Sequence, residues 1–138
     1  MITITESMFY MGRDKAYASD LTPAIRLKAT ETIKRANALL AAFYAANPQA
    51  HDRGVNSGWR PPAVNAKTPG AAKLSKHQTG EAIDIGDDDG QLDAWCMTAA
   101  GQAALERIGL WLEHPSSTPR WCHVQTVPPG SGRRVFYP

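Results

Sequence analysis

The sequence lacks the features that mark several common protein classes. It has only two cysteines in 138 residues, Cys96 and Cys122, and they form no C-x-x-C pair, so we expect two reduced thiols in a protein made in the cytoplasm. No apolar run approaches the ~18 residues of a membrane span, and the first residues show no basic stretch followed by an apolar one. We therefore expect neither membrane insertion nor a secretory signal. A net charge of +2 is too small to indicate nucleic-acid binding.

Several catalytic signatures are also missing. The chain contains no H-E-x-x-H helix, no G-x-S-x-G elbow and no phosphate-binding loop. The acidic run 87–89 before Gly90 fails the calcium-loop pattern, because Ile85 and Cys96 occupy two positions that require ligands. We interpret this run as a polar turn that leads into a helix N-terminus, where negative charge is favoured. The length suits a single domain spanning 1–138.

The stretch 75–87, SKHQTGEAIDIGD, carries the strongest chemical signal. Its second half alternates isoleucine with small or charged residues, which is typical of a strand with one face in the core. Ile83 and Ile85 would then face the core, and Asp84 would face the opposite way. His77 precedes Gly80, where the chain can bend and return the imidazole towards Asp84.

A second predicted strand, from Trp121 to Val127, supplies another histidine. Alternation places Trp121, His123 and Gln125 on one face and the remaining side chains, including Cys122, on the other. This argues against Cys122 as a metal ligand. Two histidines and one aspartate that converge on one point are typical of a zinc site with an open position, the catalytic arrangement. We therefore predict that His77, Asp84 and His123 bind Zn²⁺, with a water in the fourth position.

At these residues the sequence resembles a known family. SKHQTGEAIDI resembles the S-x-H-x-x-G-x-A-x-D signature of zinc D-alanyl-D-alanine carboxypeptidases and their L-alanyl-D-glutamate endopeptidase relatives. SGWR at 57–60 is similar to the family's S-G-x-R segment, and the late Trp-x-His matches its third-ligand motif. The resemblance covers roughly 55–126. It implies a metallopeptidase that degrades the bacterial cell wall by cutting peptidoglycan stem peptides, such as a phage endolysin or virion enzyme.

The resemblance also implies roles for individual residues. Arg60 would hold an anionic group of the substrate, a task suited to a guanidinium fork. Ser75, Asn65 and Gln125 are further candidates for substrate binding, although a turn-forming residue explains Asn65 equally well. The catalytic base in many members stands three residues before the last histidine, where this chain has Arg120. The nearest upstream carboxylate is Glu113, which we predict to be the base, with a surface role at the strand end as the alternative.

Two functions of different classes remain open from the sequence. The first is the zinc peptidase, with a stem peptide as substrate and the chain acting as a monomer. The second is a zinc-bearing binding module without hydrolysis, as in related hedgehog signalling domains, which Arg120 at the usual base position favours. The other two histidines, His51 and His114, lie in predicted polar loops and are interpreted as surface residues.

The remaining patterns predict an α+β fold. Thr22 and Pro23 begin a helix to about Ala46, with a buried stripe that comprises Ile25, Ala29, Ile33, Ala36, Leu40 and Phe43. Short strands are predicted at 55–59 and 110–113, and short helices around Leu92 to Cys96 and from Thr98 to Gly109. The two prolines after Arg60 are expected to exclude a helix there. The tail after 127 is predicted to be irregular, attached through Phe136 and Tyr137. We expect a small, mainly antiparallel sheet with helices packed on one face, as in the hedgehog/DD-peptidase fold.

Overall fold

A five-stranded sheet and six α-helices form the protein, whose computed structural model describes residues 2–138. The sheet is open, in the order β1-β2-β4-β3-β5, and every neighbouring pair is antiparallel except β3–β5. This confirms the α+β class and the mainly antiparallel sheet. The helices are Glu6–Tyr10 (α1), Arg13–Ala16 (α2), Pro23–Ala46 (α3), Pro62–Lys67 (α4), Gln91–Cys96 (α5) and Ala99–Ile108 (α6). The strands are Val55–Ser57 (β1), Ala82–Gly86 (β2), Trp111–Glu113 (β3), Trp121–Gln125 (β4) and Val135–Phe136 (β5).

The long helix α3 begins as its sequence predicts. The Thr22 side chain accepts a hydrogen bond from the Ile25 amide, and Pro23 occupies the first helical position, where its missing N–H costs nothing. The predicted boundaries are confirmed. Of the six predicted stripe positions, two are only half-buried, Ile25 and Ile33, and four are buried, Ala29, Ala36, Leu40 and Phe43.

The core lies between α3, α6 and one face of the sheet. On β2, Ile83 and Ile85 are completely buried, and on β4 the same is true of Cys122 and Val124. Full burial of an isoleucine is worth roughly 1.5–3 kcal/mol, so these side chains fix which face of the sheet is inside. Both cysteines are free and buried, and Cys122 is directed away from the face that carries His123, as predicted. No helix of residues 2–138 is long and apolar enough to cross a membrane.

The acidic turn before α5 forms as predicted. The Asp87 carboxylate accepts hydrogen bonds from the amides of Leu92 and Asp93, which satisfies two free N–H groups of the first helical turn. Asp87 also lies 3.5 Å from the guanidinium of the buried Arg53. This turn therefore has a structural role.

Two predictions of local structure were wrong. We expected Pro61 and Pro62 to exclude a helix after Arg60, but α4 begins at Pro62, because a proline is compatible with the first turn of a helix. The tail was expected to be irregular, but Val135–Phe136 forms β5 beside β3. Two residues are too few for a periodic pattern in the sequence. Helices α1 and α2 were not predicted either.

Candidate metal centre

His77 is held in place by the turn around it. It lies in a short 3-10 helix, Lys76–Thr79, in which the Ser75 side chain accepts a hydrogen bond from the His77 amide. Gly80 ends this helix with φ of 78°, a conformation that favours glycine. A Cβ at Gly80 would lie 3.1 Å from the Ile25 carbonyl oxygen of α3. Glycine at this position thus lets the turn pack closely on the helix.

The segment 58–60 also positions His77. The His77 Nδ1 donates to the Gly58 carbonyl at 2.8 Å, and the Arg60 amide donates to the His77 carbonyl at 3.0 Å. The buried indole of Trp59 donates to the Gln78 carbonyl at 3.0 Å. A side chain at Gly58 would collide with the backbone of Phe9. The sequence pattern gave no sign of this support for His77, which was identified only from the structure.

The pairing of β2 with β4 brings the other two predicted ligands together. Asp84 and His123 are directly opposite each other in the antiparallel register, so their side chains emerge on the same face. His123 Nδ1 is 2.8 Å from Asp84 Oδ1, and His77 Nε2 is 3.3 Å from Asp84 Oδ2. The three ligand atoms lie within 4.8 Å of one another. The structure therefore brings together all three residues that the sequence assigned to the metal.

In each histidine, the ring nitrogen directed away from Asp84 forms a hydrogen bond with an acceptor: His77 through Nδ1 and His123 through Nε2. The Gly58 carbonyl can only accept, so His77 Nδ1 carries the proton of that hydrogen bond. Gln125 donates through Nε2 to the Val127 carbonyl at 2.9 Å, which leaves its Oε1 to accept from His123 Nε2 at 3.2 Å. Partners of this kind orient metal-binding histidines. Gln125 was predicted to bind substrate, but its amide is occupied at both ends and positions His123.

This arrangement leaves lone pairs directed at one another. In neutral rings, His77 Nε2 and His123 Nδ1 are acceptors, and both face the acceptor oxygens of Asp84. His77 Nε2 is buried and has no hydrogen-bond partner within residues 2–138. Acceptors this close need a cation between them, either a proton or a metal ion. The three side chains could hold a metal ion, and ligands about 2.0–2.1 Å from tetrahedral zinc would be about 3.3–3.4 Å apart.

In Asp84, His77 and His123, burial disfavours the charged form, while interactions among the three side chains favour it. Burial alone would raise the pKa of Asp84, but the hydrogen bond with His123 and the close approach of both imidazoles outweigh burial and lower that pKa well below its usual value. Burial lowers the pKa of His77. For His123, the hydrogen bond and charge of Asp84 overcome the effect of burial and raise the pKa. These shifts favour a proton on His123 over one on His77 or Asp84.

Glu113 lies beside the metal ligands. In the pairing of β3 with β4, Leu112 is opposite Val124, and one further step along each strand sets Glu113 opposite His123. Facing residues of an antiparallel pair share a face, so Glu113 is on the side of the sheet that carries Asp84 and His123. Glu113 is half-buried, and burial raises its pKa, with a smaller contribution from the charge of Asp84 and an opposing one from His123. We refer to this side of the sheet as the metal face.

The predicted substrate-binding residues surround the turn that holds His77. Arg60 is buried, and its Nη2 donates to Ser75 Oγ at 3.2 Å, while its Nε has no partner within residues 2–138. Burial lowers the pKa of Arg60, and the charge of Asp84 opposes that effect. Asn65 is buried in α4 and donates to the Ala72 carbonyl. The Asn65 side chain thereby ties α4 to the following loop, beside a cavity of about 290 Å³.

Three residues that the sequence did not assign to the metal centre lie outside it: Arg120, His51 and His114. Arg120 occupies the left-handed region, with φ of 75°, and its exposed side chain contacts Asp88 at 3.3 Å. His51 is exposed and pairs with Asp89, and His114 stacks on Tyr137. The surface interpretation is therefore confirmed for His51, whereas His114 is half-buried.

The tail contributes a residue that sequence reasoning did not assign to the site. The Phe136 ring packs edge-on against His123, with ring centroids 6.2 Å apart. It reaches the metal face because β5 pairs with β3 and sets Phe136 beside Glu113. The only signal in the sequence was the aromatic pair in the tail, which predicted attachment but no location.

Comparisons with protein-family models, with curated proteins and with solved structures found no match to this chain.

Proposed function

We propose that this protein is a zinc-dependent peptidase of the hedgehog/DD-peptidase fold that hydrolyses peptide bonds in peptidoglycan stem peptides. The bond is of the D-alanyl-D-alanine or the L-alanyl-D-glutamate type. The observation that carries the proposal is the set of His77, Asp84 and His123 converging on one point with Glu113 on the same face. The resemblance of the motifs at 57–60, 75–85 and 121–123 supports the substrate class.

Zinc fits this set of donors. Two imidazole nitrogens and one carboxylate match the ligands of catalytic zinc sites, which keep a fourth position open. The side chains of His77, Asp84 and His123 are 2%, 16% and 10% exposed, so the site is shielded but open to solvent at Asp84. When bound, zinc would polarise the scissile carbonyl and make the attacking water more acidic.

The residues of the chain supply the other steps. Glu113 takes a proton from the attacking water and delivers it to the leaving amine, as a general base and then a general acid. Burial raises the pKa of Glu113, which makes the carboxylate a better proton acceptor than an exposed glutamate. Arg60 binds a carboxylate of the substrate through its guanidinium, in which Nε has no partner within residues 2–138. Gln125 and the Gly58 carbonyl hold the two rings in the orientation needed.

The second candidate is a zinc-bearing binding module of the same fold. This candidate is supported by Arg120, which stands where the family that the motifs resemble has its catalytic base. In this protein the Arg120 side chain is exposed and pairs with Asp88, so it neither blocks the centre nor replaces Glu113. The peptidase is therefore the better supported of the two. We expect it to act as a monomer on the cell wall, delivered by phage lysis or by a virion, with no nucleic-acid or membrane partner.

The test is product analysis with purified muropeptides. The protein is stripped with a chelator, reloaded with one equivalent of Zn²⁺ and incubated with stem peptides of defined length. Release of D-alanine or of a fragment that begins with D-glutamate, dependent on Zn²⁺, is expected and identifies the bond. Stoichiometric zinc with no hydrolysis and measurable muropeptide binding would establish the binding module instead.

A further inference from the structure

We propose that Arg134, stacked on Trp111, is a second anion-binding group on the metal face, so that the substrate carries a carboxylate on each side of the scissile bond. This inference depends on the proposed function, and it narrows the substrate to acidic stem peptides. It concerns a residue that the sequence motifs do not include.

The strand register places Arg134 on the metal face. In the parallel pairing of β3 with β5, Leu112 is beside Val135 and Glu113 is beside Phe136. Since Glu113 is on the metal face and side chains alternate along a strand, Trp111 of β3 is on that face too. Arg134 immediately precedes β5, and its guanidinium lies over the Trp111 ring, which places it on the same face.

The contacts of Arg134 hold its guanidinium in place without neutralising it. The guanidinium carbon is 4.5 Å from the centroid of the Trp111 ring, and Nη1 donates to the Leu110 carbonyl at 2.9 Å. Among residues 2–138, no carboxylate forms an ion pair with Arg134, whereas Arg53 and Arg120 both pair with aspartates. The Nε and Nη2 atoms of Arg134 have no hydrogen-bond partner within residues 2–138. An arginine that is oriented but unpaired is suited to bind a carboxylate of a ligand.

Arg60 and Arg134 lie on opposite sides of the metal ligands. Arg60 follows β1 at one edge of the sheet, and Arg134 precedes β5 at the other, with Asp84 and His123 on the strands between. Strands are about 4.8 Å apart, so β5 is about 10 Å from the strand of His123. An extended peptide advances about 3.3 Å per residue, so Arg134 would be reached about three residues from the scissile bond. The substrate is thus a peptide with two separated carboxylates.

The experiment compares stem peptides that differ only in amidation. One peptide has both carboxylates free, a second has its C-terminal carboxylate amidated, and a third has its side-chain carboxylate amidated. One of the two amidations is expected to raise KM about 10-fold in the wild type through loss of the contact to Arg134, the scale of a hydrogen bond between charged groups. Arg134→Gln should raise KM for the free peptide by the same factor and abolish the effect of that one amidation, whereas the amidation of the carboxylate bound by Arg60 should still raise KM.

The neighbouring Arg133 provides the matched control, because it is exposed and its side chain forms no hydrogen bond or ion pair within residues 2–138. Arg133→Gln removes the same charge and should discriminate like the wild type. If Arg134→Gln does not fold, Arg134→Lys tests the same point, since a point charge should lower the discrimination without unfolding the chain.

The possible results distinguish failure of the proposed role of Arg134 from failure of the proposed peptidase function. Wild-type discrimination in Arg134→Gln, or equal KM for all three peptides in the wild type, would overturn the role of Arg134 and leave the peptidase standing. Absence of Zn²⁺-dependent cleavage of every peptide would overturn the proposed function, and with it this inference.

Discussion

Replacement of Glu113 by glutamine tests the proposed chemistry most directly. Glutamine keeps the size and shape of glutamate but cannot accept the proton of the attacking water. General acid–base catalysis is worth ~10²–10⁴-fold, so kcat should fall by that factor, equivalent to about 2.7–5.5 kcal/mol in the activation barrier. Zinc content should stay at one per chain, because Glu113 is not among the three ligands.

The structure also predicts that this substitution does not destabilise the fold. Glu113 is half-buried, and burial raises its pKa because the charged form is disfavoured there. A neutral amide in the same place removes that penalty, so the midpoint of urea unfolding should be unchanged or slightly higher. A fall in kcat with intact zinc and intact stability would identify a chemical role.

The pH dependence of kcat/KM is an independent test of Glu113 as the base. A base acts in its deprotonated form, so kcat/KM should fall as pH falls through the pKa of Glu113. Since burial raises that pKa above the ordinary value of 4.5, the acidic limb should lie above pH 4.5 in the wild type and disappear in Glu113→Gln.

The assay measures initial rates on a stem peptide, with zinc determined by elemental analysis on the same samples. Glu106→Gln is the control, since Glu106 is an exposed carboxylate on α6 and should leave the rate unchanged. Hydrolysis by Glu113→Gln at the wild-type rate would show that Glu113 is not the base. Loss of zinc from Glu113→Gln would show that it is a ligand instead.

Three further predictions address the ligands, the anion site and the core. Asp84→Ala should lose stoichiometric zinc on dialysis, as measured by elemental analysis, whereas the exposed control Asp88→Ala should keep it; zinc retention by Asp84→Ala would disprove the ligand set. Arg60→Ala should raise KM about 10-fold or more for wall fragments with zinc unchanged, and Arg60→Lys should rescue poorly; wild-type kinetics would assign Arg60 a structural role. Burial raises the pKa of Asp93 to about 6, so its ionisation destabilises the fold as pH rises from 3.8 through 6. Asp93→Asn should therefore gain about 1.4 kcal/mol of unfolding free energy relative to wild type between pH 5 and 7.5 in urea titrations, and equal pH dependence would refute this.

Local patterns in the sequence were sufficient for the individual elements of the site. The alternation in 82–85 placed Asp84 on the other face of the sheet from Ile83 and Ile85. The alternation in 121–125 likewise placed His123 on the other face from Cys122. Both follow from the sequence because side chains alternate between the two faces along any strand. The boundaries of α3 followed from Thr22 and Pro23, because capping involves only neighbouring residues. The three ligands could thus be named from the sequence.

The supporting structure of the site could not be predicted in this way. The Gly58 carbonyl on His77, the Gln125 amide on His123 and the Phe136 ring beside it depend on which strands pair and in which register. Only tertiary structure decides these pairings, because they are contacts between segments far apart in sequence, selected by the burial of a shared core. The sequence by itself determined the three candidate ligands and the face on which each strand residue among them lies. The tertiary structure decided that their lone pairs meet, and that Glu113 lies opposite His123.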